Sequence, residues 1–300
     1  MTARLLEPLK EYVRREVNGT VHGGGGMRLE RYDRPAGDPG LLGPDSVTWR
    51  VHADPPGMLM GGFASLMLQS LHPLAMAGVV QHSDFRTDPV GRLNRTVAYV
   101  LATSYGSTEA AEKAIARVRR IHPLVHGVAD DGRPYRADDP ELLTWVHIAE
   151  VRCFLAGYEA FGAPRLTAAE RDQYYWETAG LARRLGADDV PETAAEVAAY
   201  LKRMRPELRA TEAALEGIHF ITSYGRTAQE RAAIRVLMNG AAALLPPWAR
   251  QPLRFGRSEA VVRHVDRPLA QAAGRGLRWA VQPSEIVSAA YERMGLPAPY

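Results

Sequence analysis

Three groups of side chains in this 300-residue chain combine residue type and spacing in ways that can do chemistry. His122 closes the run Arg119-Arg120-Ile121-His122, and His126 follows four residues later. On a helix, two residues four apart share a face. His147 and Glu150, three apart, share the face of a following helix in the same way. Two helices offering His-x-x-x-His and His-x-x-Glu present nitrogen and oxygen donors that can hold a metal between them. Upstream, Arg92, Arg95 and Thr96 stand at i, i+3 and i+4, so they project to one side. A cationic side beside the apolar run Val97-Ala98-Tyr99-Val100-Leu101 suits carboxylates or a developing oxyanion. The bland alternatives are plain: a lone histidine is commonly a satisfied core or surface group, and an arginine triplet is commonly a solvated helix face. Helical spacing by itself leaves His122, His126 and His147 tied.

Other candidates are weaker. His72 before Pro73 and His82 before Ser83-Asp84 read as caps or supporting donors. The single cysteine, Cys153, lies among Val151, Phe154 and Leu155, has no evident base and admits no internal disulfide. Gly23 to Gly26 lacks the Lys-Ser/Thr of a phosphate loop, and no Gly-x-Ser-x-Gly elbow occurs.

The elements that must position these groups read as helices. Residues 1–17 predict a short amphipathic helix, broken by Gly23 to Gly26, and residues 27–56 predict a loop-rich arm. Gly62 to Gln81 is apolar nearly all round, marking a central helix that Pro73 kinks or divides. Arg92 to Ser104 is the next helix, and Ser107 to His126 follows, with Ser107 or Thr108 as cap and Gly127 as its stop. Asp138-Asp139-Pro140-Glu141 opens a helix to about Phe161, and the capping box Thr167-Ala168-Ala169-Glu170 opens another to about Leu185. Helices over 191–204, 206–217, 228–245, 259–273 and 283–294 complete the pattern. Nothing from residue 57 onward alternates with period two. The expectation is one all-α domain over residues 1–300.

Composition narrows the function class. Hydrophobic residues make up 46%, enough for a real core, and 37 Lys and Arg against 34 Asp and Glu leave a net charge of +3, too diffuse for a nucleic-acid partner. The first sixteen residues lack a signal-peptide core, and Gly57 to Val80, interrupted by Gln69, His72 and Pro73, reads as a buried helix instead of a membrane span. The expected setting is cytoplasmic, with no membrane partner. The oligomeric state stays open.

Four segments stand in register: Gly61-Gly62-Phe63-Ala64-Ser65-Leu66-Met67-Leu68-Gln69-Ser70-Leu71-His72-Pro73, then residues 82–96 from His82-Ser83-Asp84 to Arg92-Leu93-Asn94-Arg95-Thr96, then Arg119-Arg120-Ile121-His122, then Tyr135 to Trp145-Val146-His147. Together they resemble the rubber oxygenase (latex-clearing protein) catalytic-domain family, which includes the membrane-bound oxygenase of mycophenolic acid biosynthesis. The resemblance covers about residues 50–250. It implies a globin-like all-α fold holding haem b. It implies His122 as the iron's proximal ligand, with Arg119 opening the Arg-x-x-His motif and His126 as the competing assignment. It maps the family's distal Arg-x-x-Lys-Thr onto Arg92, Arg95 and Thr96, and makes His147 a structural histidine near the pocket.

Arg95 departs from the pattern. A neutral lysine amine can ligate iron, whereas a guanidinium stays protonated and cannot. No counterpart is evident for the glutamate that serves as base in rubber cleavage. The expectation is therefore a haem b oxidoreductase or oxygenase using dioxygen or peroxide on a small or medium apolar substrate. The alternatives are a non-haem iron enzyme built on His122, His126, His147 and Glu150, and a non-catalytic binder of haem or an apolar ligand.

Overall fold

The computed structural model describes residues 30–299 apart from 163, 226 and 283; the expected helix over residues 1–17 and the glycine run at 23–26 lie outside them. Helices dominate, as the 3.6-residue patterning predicts, and the molecule is all-α.

The stretch read as an arm holds a buried helix, α1 (Val47–His52). Its first-turn donors are met by Ser46 and by a carboxylate distant in sequence. Glu177 accepts from the Val47 and Thr48 amides at 3.0 and 2.8 Å and from the Thr48 hydroxyl at 2.7 Å. Six residues among Gly, Pro and Asp carry too little periodicity to show this helix in sequence.

The apolar run becomes α2 (Pro55–Ser70) and α3 (Pro73–His82), which meet at 105°. Pro73 divides them, as expected. Among the described residues no single helix is long and apolar enough to cross a membrane; this bent pair meets the length and composition alone.

Next come α4 (Pro89–Tyr105) and α5 (Thr108–Ile121), joined through Gly106 and Ser107 and packed on each other. The expected helix to His126 stops at Ile121. Pro123 has no amide proton, so the chain takes one 3-10 turn over His122–Leu124 and then enters a strand. That strand, β1 (His126–Val128), pairs antiparallel with β2 (Pro134–Arg136), with His126 opposite Arg136. His122 and His126 therefore do not share a helix face. Strands of three residues are too short to show alternation, and the turn between them is marked by Gly132 at φ +82°.

The longest helix is α6 (Pro140–Phe161), capped by Asp139. Then follow α7 (Ala168–Leu185) with its capping box, α8 (Ala194–Met204), α9 (Glu212–Ser223), α10 (Ala228–Ala242), α11 (Arg267–Val281) and α12 (Glu285–Arg293). The helix expected over 206–217 starts later, because Thr211 caps it by accepting from the Ala214 amide, and only a 3-10 turn forms at Arg205–Glu207. The helix expected over 259–273 passes through a π turn at Val262–Asp266 before α11.

The core is organised by α2 crossing α6 at close range. A Cβ placed on Gly61 would lie 2.7 Å from the Cys153 carbonyl oxygen, and one on Gly57 would lie 3.0 Å from the Tyr158 amide nitrogen. Gly157 meets the Gly57 backbone in return. Small residues at these crossings let the two backbones approach and bury Met67, Leu68, Trp145 and Ile148 around them. Arg278 of α11 ties the start of α2 to the end of α6, donating to Asp54 Oδ1 (3.1 and 2.5 Å) and to the Phe161 carbonyl. Arg293 of α12, 2% exposed, donates to the carbonyls of Tyr32, Asp38, Tyr105 and Gly106. It thereby fastens the C-terminal helix to the arm and to the end of α4.

Candidate functional site

The N-terminus of α4 is set by Asp88, which accepts from the Gly91 amide at 2.9 Å, and by Pro89 in the first turn. Of the cationic triplet, only Arg92 points inward. Burial, and then the neighbouring Arg95 charge, pull its guanidinium below the usual arginine range. Among the described residues it has no hydrogen-bond or ion-pair partner. Arg95 turns outward to Asp88 at 3.4 Å, with both side chains 54% exposed. Thr96 is exposed, and its hydroxyl donates back to the Arg92 carbonyl at 3.3 Å. Equal helical spacing thus does not keep the three together in the folded chain.

Two turns beyond Arg92 on the same side of α4 is Tyr99. Burial, followed by the Glu150 charge on α6, pushes its phenol well above the ordinary value. Glu150 is raised by burial to about 7, and His147, one turn before it, is lowered to about 4 by burial and then by Arg183 of α7. Arg92, Tyr99, His147 and Glu150 lie deep among protein atoms and yet retain accessible surface. Tyr99 and Glu150 lie close enough to interact across α4 and α6, and His147 shares the Glu150 face of α6. His147 Nε2 is buried with no hydrogen-bond partner, and Glu150 has neither hydrogen bond nor counter-ion among the described residues. Across the α2–α6 contact, Gly62 faces the Phe154 ring, and Leu59, Phe63 and Leu66 of α2 stay half-buried.

His122 sits just past the end of α5, half-buried. Its pKa is lowered by burial, against the opposing pull of Asp138 and of the Ala137 backbone. Burial thus favours the neutral imidazole, the form that can offer a nitrogen to a metal. Arg119 is exposed in the last turn of α5, where a cation complements the helix dipole. His126 is exposed on β1, and its carbonyl accepts from His82 Nε2 at 3.0 Å. Among the described residues no group of three His, Cys, Asp or Glu side chains is placed to hold a bare metal ion. A site drawing on His122, His126, His147 and Glu150 together is therefore not assembled.

The remaining candidates are structural. His72, lowered by burial to about 4, stacks near Trp145 with ring centroids 5.8 Å apart. Burial pushes the Cys153 thiol up to about 11, leaving it without nucleophilic character near neutrality.

Sequence reasoning missed His52. Its ring nitrogens lie 2.7 Å from Ser104 Oγ and 3.1 Å from Tyr174 Oη, and its edge meets Phe154. Burial holds its pKa near about 3, so it stays neutral and links α1, α4 and α7 behind the site. The spacing of Trp49, Val51 and His52 was its only signal, and the surrounding Gly and Pro obscured it. A separate groove beside Met76, Gln81, Asp131 and Arg209, with a volume of about 40 Å³, includes none of the predicted site residues and is water-sized.

These features, a deep cation, buried acid–base groups and an apolar helix, occur in a chain whose residues 49–279 match the family model described as ER-bound oxygenase mpaB/B'/rubber oxygenase, catalytic domain. The chain belongs to that family. The match spans most of the molecule, from α1 into α11, and takes in every candidate residue above. No curated relative and no solved structure matches the chain. Membership in this family supports oxygenase activity.

Proposed function

We propose that this chain is a haem b-dependent oxygenase acting on a small or medium apolar substrate with dioxygen or peroxide. The observation that carries the reading is Arg92: a deep guanidinium without an anion in a family of oxygenases. Haem b brings two propionates, and an arginine is the side chain best suited to pair with a carboxylate through two parallel hydrogen bonds. His122 fits the iron, as the family resemblance implies. Burial favours its neutral imidazole, the form in which histidine ligates a metal. When bound, haem supplies the activation of the oxidant.

The chain's own residues provide the surroundings. Arg92 neutralises an acidic group, and the apolar face of α2 excludes water. Arg95 and Thr96 stand at the exposed side of α4. A guanidinium cannot take the lysine's place on iron, so Arg95 would not ligate it. His147 and Glu150 supply the polar part of the inner wall.

The absorption spectrum of protein reconstituted with haem tests this reading. Wild type should develop a Soret band at one haem per chain, and His122→Ala should shift and weaken it. Wild type without a Soret band, or iron bound stoichiometrically without porphyrin, overturns it.

A further inference from the structure

The inner face of α6 carries two polar groups that the protein itself does not satisfy. Native structures seldom leave such groups buried without a partner. His147 Nε2 has none, and Glu150, one helical turn on, has none among the described residues. The surroundings explain why. From α4, Tyr99 approaches Glu150; from α7, Tyr174 feels its charge, but the Tyr174 hydroxyl lies 3.1 Å from His52 Nε2. On α6, the next residue inward is the protonated Cys153. The cation near His147, Arg183, is 2.6 Å from Glu192 and committed there. Arg92 is influenced by Arg95 and not by Glu150, so it offers no counter-charge. His147 Nε2 is itself closed to solvent, but the Glu150 residue retains accessible surface, so a ligand can reach the carboxyl group.

We propose that Glu150 and His147 form a recognition subsite for a neutral oxygen function, a hydroxyl or carbonyl, on an otherwise apolar substrate. A carboxyl group and a neutral imidazole each donate and accept, matching a hydroxyl, whereas an alkane would leave both unpaired. The half-buried apolar side chains of α2, Phe63 and Leu66, are available to the apolar remainder. The inference deepens the oxygenase reading by naming a substrate class, and it rests on that reading for the identity of the site but not on haem.

The test is calorimetric titration of the haem-reconstituted protein with octane, octan-1-ol and octylamine. Wild type should bind octanol about tenfold or more tightly than octane, the worth of one or two hydrogen bonds, and more tightly than octylamine. Glu150→Leu, which relieves a buried unpaired acid and so folds, should bring the octanol-to-octane ratio close to one. Glu150→Gln, which keeps a donor and an acceptor, should restore most of it, and the Soret band should be the same in all three proteins. Equal binding of octanol and octane by wild type overturns the proposal, as does a ratio unmoved in Glu150→Leu or tighter binding of octylamine. A wild type lacking a Soret band but discriminating octanol removes the haem reading and leaves the subsite standing.

Discussion

A guanidinium held deep in protein with no anion in reach raises the free energy of folding unless a ligand supplies the charge. Arg92 is in that position. Arg92→Met should leave the haem-free protein as stable as wild type or more so, by urea unfolding, while haem transfer to a scavenger protein becomes about tenfold faster. Unchanged haem release would show that Arg92 does not pair with the cofactor. Glu150 makes a second prediction. Its pKa is raised from 4.5 to about 7, so the folded state prefers the protonated form. The stability this contributes is full below pH 4.5 and is lost as pH rises through 7. Unfolding midpoints at pH 5 and pH 8 should therefore differ in wild type by a component that Glu150→Gln lacks; identical trends in both proteins contradict it. The spacing of Arg92, Arg95 and Thr96 was legible in the sequence. Their divergence was not, because Asp88 draws Arg95 outward only once it caps α4.

Among the elements, the α2–α6 crossing depends on residues with no side chain to spare. A branched side chain at Gly61 would meet the Cys153 carbonyl, which is backbone and cannot swing aside. Gly61→Val should lower stability by about 3 kcal/mol, read as a fall in urea midpoint, since overpacking a tight crossing typically costs ~1–3 kcal/mol and backbone contacts lie at the upper end. Arg293→Met should cost at least about 2 kcal/mol by the same measurement, because it removes at one stroke the buried charge-assisted hydrogen bonds to the Tyr32, Asp38 and Tyr105 carbonyls. Capped helices such as α6 and α7 were readable because their boundary signals are local: Asp139 and Pro140 for one, Thr167 and Glu170 for the other. The end of α5 was misread because Gly127 looks like a stop, while Pro123 had already acted. α1 was invisible because six residues show little periodicity and two of its first-turn donors are met by Glu177 from another helix, beyond the local Ser46 cap.

For the molecule as a whole, neutral buried histidines set the acid limit. His52 is lowered to about 3, and His72 and His147 to about 4, from 6.5. A lowered histidine pKa favours the uncharged folded form, so its contribution is full above pH 6.5 and is lost as pH falls through 4 to 3. Together the three should remove several kcal/mol, on the order of 1.4 kcal/mol per pKa unit, and thermal unfolding should fall steeply below pH 6. His72→Gln should make that fall shallower; a variant with the wild-type slope would assign the acid limit to other groups.

All-α architecture, the division of the apolar helix at Pro73 and the pairing of His147 with Glu150 follow from periodicity, proline chemistry and i, i+3 geometry, which act within a few residues. Family membership was also readable, since it rests on four segments whose order survives in the linear chain. The folded chain alone separated Arg92 from Arg95 and Thr96, placed His126 on an exposed strand, brought His52 between Ser104 and Tyr174, and left Glu150 facing Tyr99 without a counter-ion. Burial and partnership depend on which distant segments meet, and no local pattern encodes the absence of a neighbour.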